Sequence, residues 1–197
     1  SKFRLPEMLF GNMPNDGGAL LLDADHARNA KAEGVPDKFI RPFIGSQEFI
    51  NGIQKFCIWV TANDYAEARS YTWLAARFAM VKAHRENSNR AATVKLAKLP
   101  YAFGEVRQRG DEDTLVMPRI TSERREYLPV GLVPSGAIIS SQNFALYSAP
   151  SFVFALLASK LHRTWIATVC GRTRTDFAYS NTLGWNTFPR PKLTEKN

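Results

Sequence analysis

The hydrophobic pattern along the chain switches repeatedly between strand-like and helical periods. Near the start, Pro14-Asn15-Asp16-Gly17-Gly18 has turn composition and feeds the apolar run Ala19-Leu20-Leu21-Leu22, a short buried strand. Residues 23–37 are polar and predict a helix or loop. Residues 39–43 are strand-like, with Pro42 arguing for an edge or an irregular end because proline has no N–H for a ladder. Phe56-Cys57-Ile58-Trp59-Val60 follows as a buried strand. The period then becomes helical: with Asn63 as N-cap, a helix is predicted from about Tyr65 to Arg85. It would bury Leu74, Phe78 and Val81 and keep Arg69, Arg77, Lys82 and Arg85 on a solvated face.

From Pro100 the period becomes two. Residues 103–108 and 114–119 predict strands joined by the loop Arg109-Gly110-Asp111-Glu112-Asp113, and residues 127–133 and 137–141 extend the sheet. Ser148-Ala149-Pro150 opens one long helix over residues 151–169, stopped by Gly171. Polar and aromatic residues then alternate through Ser180, which places Arg172, Arg174 and Asp176 on one face of a strand. The expected fold class is α+β, a mixed or antiparallel sheet with packed helices. Residues 1–197 form a single domain with a candidate helical subdomain at 62–100.

A chain of 197 residues, 45% hydrophobic and 22% charged, is long enough to bury a core without staples. Cys57 and Cys170 lie in apolar contexts and read as reduced, buried thiols, which favours the cytoplasm. No signal-peptide pattern opens the chain, and the run from Phe152 to Ala158 is broken by Ser159 and Lys160, so no membrane partner is expected. The net charge of +8 and pI near 9.7 favour an acidic partner. After Pro150, seven lysines and arginines stand against two acids, Asp176 and Glu195, so this third of the chain is expected to face phosphates.

Catalytic motifs expected of a nucleic-acid enzyme are missing. An amino-methyltransferase grips its target amine with an Asn/Asp-Pro-Pro-aromatic turn, and the chain has neither a Pro-Pro nor an Asn-Pro pair. No glycine-rich turn follows a first strand to cradle S-adenosylmethionine. None of the ten lysines has a carboxylate two residues before it, as a common metal-dependent nuclease requires. His26, His84 and His162 lack metal-ligand spacing with the cysteines, and Gly-x-Ser-x-Gly is absent. No catalysis, metal or cofactor is expected of this domain.

Two stretches could touch a polyanion. Arg174 and Asp176 on a strand face suit base edges, since arginine pairs with guanine and aspartate accepts from cytosine. In Met117-Pro118-Arg119-Ile120-Thr121-Ser122-Glu123-Arg124-Arg125-Glu126-Tyr127, hydroxyls and arginines could clamp phosphates, or Glu123 and Glu126 could neutralise the arginines internally. By composition alone the simpler readings are a solvated strand face for the first and an internally neutralised charged loop for the second. The four tryptophans, Trp59, Trp73, Trp165 and Trp185, read as core or interface residues.

Four segments, in order, carry a resemblance. They are Phe10-Gly11-Asn12-Met13-Pro14-Asn15-Asp16-Gly17-Gly18, Arg41-Pro42-Phe43-Ile44-Gly45-Ser46-Gln47-Glu48-Phe49-Ile50-Asn51-Gly52, Pro118-Arg119-Ile120-Thr121-Ser122-Glu123-Arg124-Arg125, and Val169-Cys170-Gly171-Arg172 through Tyr179-Ser180-Asn181-Thr182-Leu183. Together they resemble the target recognition domain of MmeI-type DNA methyltransferases, single-chain type IIL restriction-modification enzymes of bacteria. The similarity runs from about Phe10 to Pro191.

The resemblance implies a module that reads double-stranded DNA. An adenine-specific methyltransferase domain and a nuclease domain would lie elsewhere in the same polypeptide, needing S-adenosylmethionine and magnesium. The family's alternating specificity positions after Gly-Arg fall on Arg174, Asp176 and Ala178; relatives often carry an acid then a base there, the reverse of this chain. Gln142 and Asn143 join them as candidate base readers, because a carboxamide pairs bidentately with adenine. Arg119, Ser122, Arg124, Arg125 and Arg172 are the expected backbone-positioning contacts. A non-catalytic domain whose basic surface docks an acidic protein is the alternative.

Overall fold

The computed structural model describes residues 5–108 and 111–189. Arg109 and Gly110 of the expected hairpin loop lie outside the described residues, as do Arg190, Pro191, Lys192, Glu195 and Lys196 of the basic terminus. Strand β1 (Leu9–Phe10) begins the fold, and the chain then crosses between sheets at Gly11 and Asn12. Only glycine fits at that crossing, since a Cβ on Gly11 would sit 2.2 Å from the Ser140 carbonyl oxygen. Asp16 holds the following turn by accepting from the N–H groups of Gly18 and Leu20, delivering β2 (Leu21–Leu22).

Asp23 caps α1 (Ala24–Ala32) by accepting from the His26 N–H at 2.8 Å. Next come β3 (Ile40–Ile44), the short helix α2 (Ser46–Asn51) and β4 (Phe56–Ile58). Pro42 does not mark a sheet edge: β3 is internal, antiparallel to β4 and parallel to a later strand. The Phe43 N–H faces β4, so the Pro42 nitrogen faces the other side, where parallel pairing begins only at Phe43. No ladder bond is lost.

The expected helix over 65–85 is broken. Its pieces are α3 (Tyr65–Ala68), whose cap position is Asp64 rather than Asn63, and α4 (Thr72–Glu86). The Ser70 hydroxyl donates to the Glu67 carbonyl, and Tyr71 turns extended, which packs its ring against Phe39 at 6.3 Å. Leu74, Phe78 and Val81 are buried as expected, but Arg85 is not on a solvated face. It is 0% exposed and donates to the carbonyls of Pro14, Asn15, Leu96, Leu99 and Ala102 at 2.7–3.0 Å. Arg85 thereby ties α4 to the segment after α5 (Ala91–Lys95) and to the N-terminal turn. Helix α4 shares one buried cluster with Phe43 of β3, Ile58 of β4 and the flanking Leu20 and Phe39.

Residues 103–108 are not a ladder strand. Their backbone is held by an isolated bridge from Met13 to Glu105 and by the buried Asn12 amide, whose oxygen accepts from the N–H groups of Arg107 and Gln108. Strand β5 (Thr114–Pro118) bends at Arg119 into β6 (Ile120–Thr121). Of 127–133 only β7 (Gly131–Val133) is strand, and of 137–141 only β8 (Ile138–Ile139), followed by β9 (Asn143–Tyr147). Two sheets result, β2-β4-β3-β8 and β1-β9-β5-β7.

The expected single helix over 151–169 is also two: α6 (Ser151–Leu157) and α7 (Lys160–Val169). Ser159 divides them, its hydroxyl donating to the Leu156 carbonyl and accepting from the His162 N–H. Val153, Leu157 and Ile166 pack onto Leu115, Met117, Phe144 and Leu146 of the second sheet. The alternating stretch after Gly171 is a hairpin rather than one strand: β10 (Gly171–Thr173), a two-residue turn at Arg174-Thr175, and β11 (Asp176–Ala178). Strand β11 pairs onward with β6 to make a third sheet, β10-β11-β6.

Candidate nucleic-acid interface

The hairpin register decides which polar groups act together. Thr173 stands opposite Asp176 and Arg172 opposite Phe177, so Arg172 and Asp176 project from opposite faces. Arg174 sits at the tip with a left-handed φ of 57°, a conformation that costs most side chains energy, and its side chain is exposed with no partner among the described residues. The expected single face carrying Arg172, Arg174 and Asp176 therefore does not form.

Arg172 is occupied. Its guanidinium lies 4.7 Å from the centre of the Phe177 ring and donates to Glu123 at 2.5 Å and to the Thr175 carbonyl at 2.8 Å. Glu126 is paired likewise, with Lys160 at 2.5 Å. Internal neutralisation thus uses Arg172 and Lys160, and among the described residues it leaves Arg119, Arg124, Arg125 and Arg174 without a carboxylate partner. The Ser122 hydroxyl accepts from the Arg124 N–H, fixing the turn that carries Arg124 and Arg125.

Asp176, Arg119, Ser122, Arg125 and Gln142 meet along one groove of about 720 Å³. Its opposite wall is α2, through Ser46, Gln47, Ile50 and Asn51. Gln142 joins the walls: its backbone carbonyl accepts from the Arg119 N–H at 3.1 Å and from the Ser46 hydroxyl at 2.9 Å. Arg119 in turn accepts at its carbonyl from the Tyr179 N–H, linking the second and third sheets under the groove. Its guanidinium lies 4.7 Å from the centre of the Phe10 ring.

Asn143 is placed inside the protein. It is 0% exposed, donates to the Ile44 carbonyl and accepts from Ser46, so its amide is spent holding β9, β3 and α2 together and has no edge to offer a base. Ala178 is half-buried between Gly171 and Ile120. The α2 residues fall within the second resemblance segment, but none of them was singled out for a role: two amides four residues apart in a six-residue helix are a pattern any solvated helix shows.

The titratable groups elsewhere are structural. His162 is fully buried, its Nε2 bonded to the Tyr179 hydroxyl at 2.9 Å against the Phe188 ring, and burial pushes it down to about 4. Cys57 is fully buried and burial raises its thiol; Cys170 is only half-buried, less enclosed than expected, and also raised. Trp185 is buried, and Trp59, Trp73 and Trp165 are partly buried against the two main cores. Among the described residues no group of three His, Cys, Asp or Glu side chains is placed to hold a metal, and no helix is long and apolar enough to cross a membrane.

Three packed sheets support a polar groove rimmed by arginines that have no carboxylate partner among the described residues, the architecture of a target recognition domain, and the chain belongs to the family described as "MmeI, target recognition domain", whose model matches residues 1–192. DNA methyltransferase A of Bacillus subtilis (strain 168) is 38% identical over 195 residues, covering 98% of this chain and 22% of that protein. The solved Type IIL restriction-modification enzyme MmeI, in complex with DNA, superposes with a TM-score of 0.92 at 33% identity, over 98% of this chain and 26% of that one. The chain thus spans about a quarter or less of the relatives it matches.

Proposed function

We propose that this domain reads a short DNA sequence on behalf of a longer bacterial, cytoplasmic restriction-modification protein. In that protein a methyltransferase domain modifies an adenine amine with S-adenosylmethionine and a magnesium-dependent nuclease domain cuts. The observation that carries the reading is the groove, where Asp176 and Gln142 face solvent between arginines that no carboxylate neutralises. Unpaired guanidiniums suit phosphates, while a carboxylate and a carboxamide held on bonded backbone suit base edges. Both relatives extend far beyond the segment they share with this chain, which leaves room for the catalytic domains, and the target-amine turn and cofactor-cradling motif have no counterpart in it.

Within the groove, Asp176 accepts from a cytosine amino group, Gln142 addresses a second base, and Arg119, Ser122 and Arg125, with Arg124 on the adjoining turn, set the register on the backbone. Arg174 enters from the hairpin tip toward the guanine paired with that cytosine. Its left-handed φ is the kind of local strain that persists where a side chain must be aimed. Ala178 leaves space beside Asp176.

The test is the methylation motif of the intact polypeptide with Arg174→Glu and Asp176→Arg combined. One base pair of the motif is expected to change while the others stay. An active double variant with an unchanged motif removes the hairpin from recognition, and wild-type binding that shows no preference among duplexes returns the domain to the class of acidic-protein docking surfaces.

A further inference from the structure

We propose that Gln47 and Asn51 of α2 form a second base-reading edge, specific for adenine, on the groove wall facing the hairpin; the inference rests on the groove being a DNA site. The two side chains stand one helical turn apart, both exposed and both lining the groove. The Asn51 amide donates to the Gln47 carbonyl oxygen at 2.7 Å. That bond fixes the remaining polarity of the pair: Gln47 keeps its amide hydrogens as donors and Asn51 keeps its carbonyl oxygen as acceptor. A donor beside an acceptor is the complement of the adenine major-groove edge, whose N7 accepts and whose amino group donates.

The helix that carries them is held in place on several sides. Ser46 donates to both Gln142 and Asn143, and its N–H is shared with the Gln142 side chain at 3.3 Å. Asn143 in turn is bonded to the Ile44 carbonyl just before α2. On the side away from the groove, Phe49 packs so closely over Gly131 that a Cβ there would lie 2.8 Å from its ring. Glu48, its side chain only 11% exposed, is paired with Lys55 at 3.5 Å. Two surface amides on so short a helix would ordinarily be mobile. Here bonds to β9 and packing on β7 hold the helix, and their mutual bond holds the amides. The ordering cost of presenting them to a base is therefore met before DNA arrives.

The experiment is selection of bound duplexes from a randomised DNA library by the intact polypeptide, wild type beside three variants. Wild type is expected to enrich a defined motif. Gln47→Ala with Asn51→Ala is expected to retain it except at one adenine, where preference falls about tenfold or more. Asp176→Ala is expected to lose a different position. Gln47→Glu, which replaces the donor by an acceptor, is expected to move the α2 position from adenine toward cytosine, an outcome a merely structural role does not produce. Retention of the full motif by the double variant, or uniform weakening with the motif intact, overturns the α2 inference and leaves the hairpin reading standing. Failure of the wild type to enrich any motif overturns both. A thermal melt equal to wild type shows that the variants are folded.

Discussion

Arg125 and Arg172 are both exposed arginines near the third sheet, yet the structure separates them. Arg172 is held by Glu123 and the Thr175 carbonyl, while Arg125 has no side-chain partner among the described residues. If Arg125 neutralises one DNA phosphate, its removal lowers the slope of log affinity against log salt by about 0.9. Between 50 and 200 mM salt, a fourfold change, that corresponds to Arg125→Ala closing the gap to wild type by about three- to fourfold. All duplexes should weaken about equally. Arg172→Ala should change the slope by less than about half a unit, because its charge is already balanced. The Arg172–Glu123 pair is 44% and 41% exposed, so solvent screens it and its loss should cost about 0–1 kcal/mol of stability. Binding of labelled duplex by the intact polypeptide across a salt series, beside thermal melts, measures both. A full unit of slope lost with Arg172→Ala and none with Arg125→Ala would refute the assignment of free and occupied arginines.

Arg85→Met should be among the most destabilising single changes. It strips donors from five carbonyls, each worth about 1–3 kcal/mol where water cannot reach it, for a net loss of about 3–5 kcal/mol and a Tm lower by about 10 °C; a shift under about 3 °C would show that water replaces the guanidinium. His162 is depressed to about 4 by burial, so the folded state binds fewer protons than the unfolded one. Its neutral form supports the fold fully above about pH 6.5, and that support is lost as pH falls through 4, about 3 kcal/mol in all. Denaturant titrations at stepped pH read this, and His162→Gln, less stable at neutral pH, should flatten the curve in that window. With a thiol reagent on the folded protein, Cys170 should label slowly and Cys57 only on unfolding, so that Cys170→Ser abolishes native labelling; prompt labelling of that variant would contradict the burial of Cys57.

Local composition was enough for features whose cause is local. The turn at Pro14 to Gly18, the buried stripe of Leu74, Phe78 and Val81, and the strand around Val116 follow from turn chemistry and from the periods of apolar residues, and they stand where expected. The tertiary structure decided what depends on distant partners. Arg85 looks like any helix-surface arginine until carbonyls from three other segments converge on it. Both long helices broke because one serine in each, Ser70 and Ser159, takes up a backbone carbonyl while packing redirects the chain.

The candidate site divides in the same way. Family resemblance in the sequence pointed to Arg119, Ser122, Arg125 and Asp176, and carboxamide chemistry to Gln142, and folding gathers all five along one groove. Period-two alternation reads identically in one strand and in a hairpin, so only the pairing of Thr173 with Asp176 could put Arg172 and Asp176 on opposite faces. Asn143 and Gln142 are equivalent as residues, but the pleat turns one inward to brace α2 and leaves the other at the groove. Side-chain type is written in the sequence; whether a polar group is spent inside the protein or left for a ligand depends on neighbours nearly a hundred residues away, and only the fold supplies them.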